Sequence, residues 1–201
     1  MGVREYQAAI RQEKHTAIVA AALKNFKNKG YGLTSVGDIA VTSGVSLATL
    51  YKHYRTKDDI FEEAANLAWK DVAARYVLPD VRGMVLSDAL KTVAQYYVAT
   101  VHKSATRRLI LLCMTPHGLP VQAGHYFYEA IIEPTRHYLQ TIIQDHKLKI
   151  PQVEMQVRLF MGAINDMLIW PLMTLNLKEI PEESIDTVIS YGIAAFEKHT
   201  R

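Results

Sequence analysis

Leu33 to Lys57 reads L-T-S-V-G-D-I-A-V-T-S-G-V-S-L-A-T-L-Y-K-H-Y-R-T-K, and its punctuation predicts two short helices hinged on one glycine. Ser35 is placed to cap the first, because its hydroxyl can accept an orphan backbone N–H of the opening turn. Val36, Ile39 and Ala40 then fall at i, i+3, i+4 and make one apolar stripe. Gly44 stands where that helix must stop, and glycine takes φ > 0 there without steric cost. Val45 is expected as a plug in the turn, and Ser46 as the cap of a second helix whose Leu50 faces inward. Two helices joined by a short Gly-containing turn form the helix-turn-helix unit, whose second helix enters the DNA major groove. An ordinary αα-corner has the same spacing.

The residues that follow separate the two readings. G-V-S-L-A-T-L-Y-K-H-Y-R-T-K-D-D-I-F, Gly44 to Phe61, resembles the DNA-binding end of tetracycline-repressor-type (TetR family) transcriptional regulators. Val45, Thr49, Leu50, Tyr51, Tyr54, Lys57 and Phe61 match that pattern in register. The motif covers about the first 65 residues, and the length and helical layout of the whole chain agree with it. Gly37 departs from the pattern, which has a polar helix former there. A mid-helix glycine costs up to ~1 kcal/mol relative to alanine.

The 201 residues are 49% hydrophobic and 21% charged, enough apolar side chains for a real core. Met1 to Lys14 is charged and lacks the apolar stretch of a signal peptide. No run approaches the ~20 apolar residues of a membrane span. A cytoplasmic protein with no membrane partner is expected. The single cysteine, Cys113, excludes an internal disulfide, and its apolar neighbours point to a buried thiol. Net charge is only +3, but nine Lys/Arg against three Asp/Glu lie up to Lys57, so the N-terminal end is basic. Phosphate binding by that end requires such an asymmetry, although a solvated basic face would show it too.

Outward from the central stretch every periodic segment is helical. Arg11 to Lys29 carries an apolar stripe of Ile18, Ala21, Ala22 and Phe26, and Gly30 stops it. Ile18, Phe26, Val36, Ile39, Val45 and Leu50 are expected to form a small core. The resemblance implies that Tyr31 packs in that core or touches the DNA backbone. A helix opening at Lys57, with Asp58 and Asp59 at its positive end, should run to about Tyr76. Pro79, Asp80 and Gly83 then mark a break. Further helices are expected from a Ser87 cap to about Lys103, over Arg107–His117, over Val121–Lys147 with a kink at Pro134, over Gln152–Leu175 and over Glu182–His199. The expectation is an all-α fold of about nine helices. A three-helix DNA-binding domain would span residues 1–56, and a ligand-binding and dimerisation domain residues 57–201.

The resemblance implies roles for particular residues. Ser46, Thr49, Tyr51, His53 and Lys57 would contact phosphates, with Thr34 and Ser35 adding backbone contacts. Leu47, Ala48 and Lys52 would face base edges, the first two through thymine methyl groups. Val157, Phe160, Ile164, Leu168, Ile185, Val188, Ile189, Gly192 and Phe196 form broad apolar faces on the last two helices. In the resembled family these two helices pair with a second copy, and a homodimer reads two half-sites of a palindromic double-stranded operator. Tyr97, Met114, His117, His125, Tyr128, Met161 and Asn165 are the expected lining of a site for a small effector, whose identity does not follow from the sequence. Aromatic walls with a few polar anchors suit a mostly apolar or planar molecule.

No catalytic residue, metal site or cofactor is expected. The chain lacks the Glu-x-x-His pairs of di-iron bundles, and it has no H-E-x-x-H, P-loop or G-x-S-x-G. The function implied is a transcriptional repressor released from its operator by a small inducer. A DNA-bound structural or cell-division factor without a small ligand is the alternative.

Overall fold

A computed structural model describes residues 2–114, 123–147, 150–175, 177 and 179–197. The described residues contain no strand, and their helices join into nine segments. In order these are α1 (Val3–Leu33), α2 (Val36–Ser43), α3 (Leu47–His53), α4 (Lys57–Arg75), α5 (Leu86–His102) and α6 (Ser104–Cys113). Then α7 (Ala123–Phe127) passes through a π turn (Tyr128–Ile132) into α8 (Glu133–Asp145). In the same way α9 (Val153–Ile164) passes through a π turn (Asn165–Ile169) into α10 (Trp170–Thr174), and α11 (Glu182–Glu197) closes the order. No helix among the described residues is long and apolar enough to cross a membrane.

Two compact units emerge. Met1–Val72 with Arg108–Phe127 makes one, and Ala73–Arg107 with Tyr128–Arg201 the other. In the first unit Ile18, Ala22 and Phe26 of α1, Ile39 of α2, Leu50 of α3 and Ile60 and Phe61 of α4 are sealed from solvent. Val36 and Val45, expected in that core, are only half-buried: Val36 opens α2, and Val45 lies in the turn between α2 and α3. Phe26, Tyr31 and Phe61 form an aromatic triad with centroids 5.2–5.6 Å apart, Phe61 meeting the other two edge-on. Tyr31 is thus a core residue, and its hydroxyl donates to the Asp58 carboxylate. Trp69 Nε1–H donates to the Cys113 thiol at 3.4 Å, and burial pushes that thiol's pKa up.

The second unit is built on Leu90, Val93, Tyr97 and Val101 of α5, with Ile131, Leu139 and Ile143 around α8 and the inner faces of α9 and α11. Val157, Phe160, Ile164, Leu168, Val188, Ile189 and Phe196 are buried inside this unit, and Ile185 and Gly192 are half-buried. These are the residues the apolar periodicity offered to a second copy. A helix spends its most apolar face first on its own chain, so that face is closed to a partner. Gly192 does allow a close approach, but to Phe160 of the same chain: a methyl at 192 would lie 2.6 Å from Phe160 Cε2. What stays exposed is a second stripe, with Met155, Leu159, Met167 and Trp170 along α9–α10 and Thr187, Tyr191, Ala194 and Ala195 on α11.

The prolines explain the π turns. Pro134 and Pro171 have no N–H to give to the carbonyls four residues back, those of Ala130 and Met167. Both carbonyls lie within π turns, and Trp170 N–H reaches back five residues to Asn165 O. The helix widens by one residue at Pro134, where a kink was expected, and does the same before Pro171. Elsewhere, α5 opens at Val85 without a side-chain cap, not at Ser87, which lies inside it.

Candidate nucleic-acid interface

The helix-turn-helix unit is held by its caps. Ser35 Oγ accepts Asp38 N–H at 3.0 Å, and the Asp38 carboxylate accepts Ser35 N–H at 2.9 Å, closing a capping box. The Ser35 hydrogen bonds, with Lys29 Nζ at 3.0 Å, hold the Asp38 pKa at about 2. Gly44 turns the chain at φ 70°, and Val45 N–H returns to Ala40 O at 3.2 Å. Ser46 Oγ accepts Thr49 N–H at 3.1 Å and meets Thr49 Oγ1 at 2.8 Å. Between α1 and α2, Asn25 Nδ2–H donates to Ala21 O and to Thr42 Oγ1, both at 2.9 Å. This buried amide locks α2 onto α1.

Helix α3 is thereby displayed with one side sealed and one open. Leu50 has no exposed surface, whereas Leu47 is 45% and Tyr51 52% exposed. Ser46, Ala48 and Lys52 are exposed too, and Thr49 and His53 are half-exposed. Seven residues of the sequence reading therefore keep accessible surface around α3, with Thr49, Lys52 and His53 bordering the N-terminal part of α1 and only Leu50 sealed inward. Thr34 does not join them. It is 1% exposed, and its hydroxyl donates to Gly30 O at 2.8 Å, because the chain after Gly30 (φ 80°) needs a side-chain donor for that freed carbonyl. Ser35 is exposed but committed to its capping box.

Lys57 is also turned inward. Its ammonium donates to Tyr31 O at 3.0 Å and Thr34 O at 3.1 Å, and lies 4.2 Å from the Tyr31 ring centroid. Beside α3 the Tyr54 hydroxyl donates to Glu63 Oε2 at 2.6 Å, and His15 Nε2 is 2.7 Å from Glu63 Oε1. Burial, then the positive charges of Arg11, His15 and Lys14, lowers the pKa of His53.

The residues expected around an effector are only partly gathered. Tyr97, buried on α5, donates to Asn165 Oδ1 at 2.5 Å, and Met161 is buried one turn before Asn165. Burial holds the Tyr97 phenol well above its ordinary range. Tyr128 lies in the same unit, with the Arg136 guanidinium 5.7 Å from its ring. Met114 and His125 belong to the other unit and are exposed, and His117 lies outside the described residues. A groove of about 550 Å³, lined by Val81, Arg82, Met84, Tyr138, Ile142 and His146 among others, contains none of the expected residues. The Pro79–Gly83 break marked its edge in the sequence, but nothing there predicted a concavity.

Comparison with known proteins agrees with this geometry. Residues 18–64 match the family described as bacterial regulatory proteins, tetR family, and residues 88–199 match the AefR-like transcriptional repressor, C-terminal domain. Over 61 residues the chain is 34% identical to the HTH-type transcriptional regulator AcrR of Shigella flexneri, a stretch that spans 30% of this chain and 28% of that protein. The solved structure of the flavonoid-responsive regulator FrrA is similar with TM-score 0.70 and 23% identity, covering 92% of this chain and 95% of that one. A TetR-family regulator from Mesorhizobium loti gives TM-score 0.68 and 19% identity, with 94% and 96% covered. At such identities the two structures show the fold.

Proposed function

The chain belongs to the tetR family of bacterial regulatory proteins, and from that premise we propose that it is a repressor whose two copies read a palindromic operator and leave it when a small molecule binds. As a member it is a DNA-binding transcriptional regulator, in a family of regulators and not of enzymes. The observation that carries the finer reading is the open face of α3. Leu47, Ala48 and Lys52 lie towards base edges in this reading, and Ser46, Thr49, Tyr51 and His53 towards the flanking phosphates. Residues 1–56 do the reading, and residues 57–201 bind the effector and hold the dimer. The second copy packs on the exposed stripe of Met155, Leu159, Trp170 and Tyr191, since the more apolar face is already used. The protein acts in the cytoplasm, where its DNA lies.

Genomic fragments retained by the purified protein, sequenced and searched for a repeated inverted motif, test this directly. An inverted repeat with half-sites ~34–36 Å apart is expected, and retention without a shared motif would refute the sequence-specific reading. The closed Tyr97–Asn165 pair favours a second reading, a DNA-bound factor with no effector, because a hydrogen bond already made is a filled core and not a waiting anchor. A thermal-shift series with planar aromatic compounds, flavonoids first given the likeness to FrrA, separates the two. A bound effector stabilises the fold by RT ln(1 + [L]/Kd) and so raises the transition, and a flat series supports the factor without one.

A further inference from the structure

We propose that residues 3–16 of α1 form a second DNA-contacting element, a basic helical arm whose Arg4, Arg11 and Lys14 hold backbone phosphates beside the groove read by α3. The inference rests on the DNA-binding reading and adds an element to it. Helix α1 runs for 31 residues, yet its first buried side chain is Ile18. The stripe that faces the core from Ile18 onward continues towards the N-terminus as Lys14, Arg11, Gln7 and Arg4. With 3.6 residues per turn, these four fall within an arc of about 80° centred near Ile18. The inward face of the helix therefore changes from apolar to basic where the core ends. The acids of this stretch, Glu5 and Glu13, lie off that arc, and Glu5 is engaged with Gly2 N–H at 2.9 Å.

The basic arc has a neighbour. Gln7, Ile10, Arg11 and Lys14 share a shallow groove with Thr49, Lys52 and His53 of α3, so it continues the exposed face of the recognition helix. Glu63, whose charge acts on His53 at this surface, is already engaged by His15 and Tyr54. Arg4 to Lys14 spans about 15 Å at ~1.5 Å per residue, the length of about four base-pair steps measured along the duplex axis at ~3.4 Å each. A solvated cationic face would need neither the inward register nor the shared groove. The match to the tetR family starts at residue 18, so the arm lies ahead of the part of the chain it describes.

The test uses the full chain and a random-sequence 40-base-pair duplex, with affinity read by fluorescence anisotropy across a salt series. For Arg11→Gln/Lys14→Gln the log–log salt slope should be shallower by about 1.8. Affinity near 0.1 M salt should fall roughly ten- to sixtyfold, the range that slope implies, and the thermal transition should stay in place. Lys24→Gln, an exposed charge off the arc, should leave the slope unchanged. A wild-type slope in the double variant overturns the arm. So does a change in Lys24→Gln half as large as that of the double variant, since net charge would then explain both. If the wild-type chain itself shows no salt-dependent binding, the DNA reading fails and not the arm alone.

Discussion

Replacing Lys57 by methionine keeps the apolar stem and removes the ammonium, and so tests whether this residue serves the fold or the DNA. Two charge-assisted hydrogen bonds go, at 3.0 Å to Tyr31 O and 3.1 Å to Thr34 O, along with the charge 4.2 Å from the Tyr31 ring. A hydrogen bond to a charged group is worth ~1.5–3 kcal/mol when buried, and the ring contact ~0.5–1 kcal/mol. Water reaches this half-exposed ammonium and can replace part of each bond, so we expect a net loss of about 2 kcal/mol. For a chain of this size that is a fall of about 4–8 °C in the thermal transition. Urea denaturation followed by circular dichroism gives the stability, and the salt dependence of duplex binding gives the phosphate count. Stability should fall while the log–log slope changes by less than half a unit. For Lys52→Met we expect the converse, stability within ~0.5 kcal/mol of wild type and a slope shallower by about 0.9. An unchanged stability for Lys57→Met with a slope shallower by a full contact would refute the inward role.

Three further outcomes follow from the packing. Gly192→Ala should destabilise by about 1–2 kcal/mol net, because overpacking against Phe160 exceeds the gain of up to ~1 kcal/mol in helix propensity. Adding Phe160→Leu should recover most of the loss in a double-mutant cycle, and a more stable single variant would contradict the close approach. Gly44→Ala places a β-carbon at φ 70° and should cost ~1–2 kcal/mol, with Gly44→Asn recovering about half, read by urea midpoints. His53 and His102 both have pKa values lowered, first by burial and then by nearby cations, so the unfolded chain binds more protons in mildly acid solution. That stability is present above the unfolded value of ~6.5 and is lost as pH falls through the lower folded values. Urea midpoints should drop between about pH 7 and pH 5, and less steeply in His53→Gln.

The caps made the DNA-reading end legible. Ser35, Gly44 and Ser46 each do in the structure what their chemistry and position require, and they fix the limits of α2 and α3. The start of α1 was not legible, because residues 3–10 carry no apolar period to announce a helix that good helix formers sustain. The inward contacts of Lys57 were not legible either, for a physical reason. Next to a helix N-terminus a cation is placed against the dipole, and only coordinates reveal the carbonyls of Tyr31 and Thr34 that compensate it. Periodicity on α9 and α11 picked out residues that the structure buries within their own chain. It ranks faces by apolarity, and the first-ranked face belongs to the chain's own core.

The wide turn at Asn165–Ile169 has a consequence for how this chain can vary. A bond from Trp170 back to Asn165 spans five residues where a regular turn spans four, so the helix holds one surplus residue there. Removing it would bring α9 and α10 into regular helical register, but Pro171 would then lack a donor and its ring would press on the carbonyl four residues back. Deleting one residue here would therefore turn every side chain downstream in α10 around the axis by about 100° relative to α9.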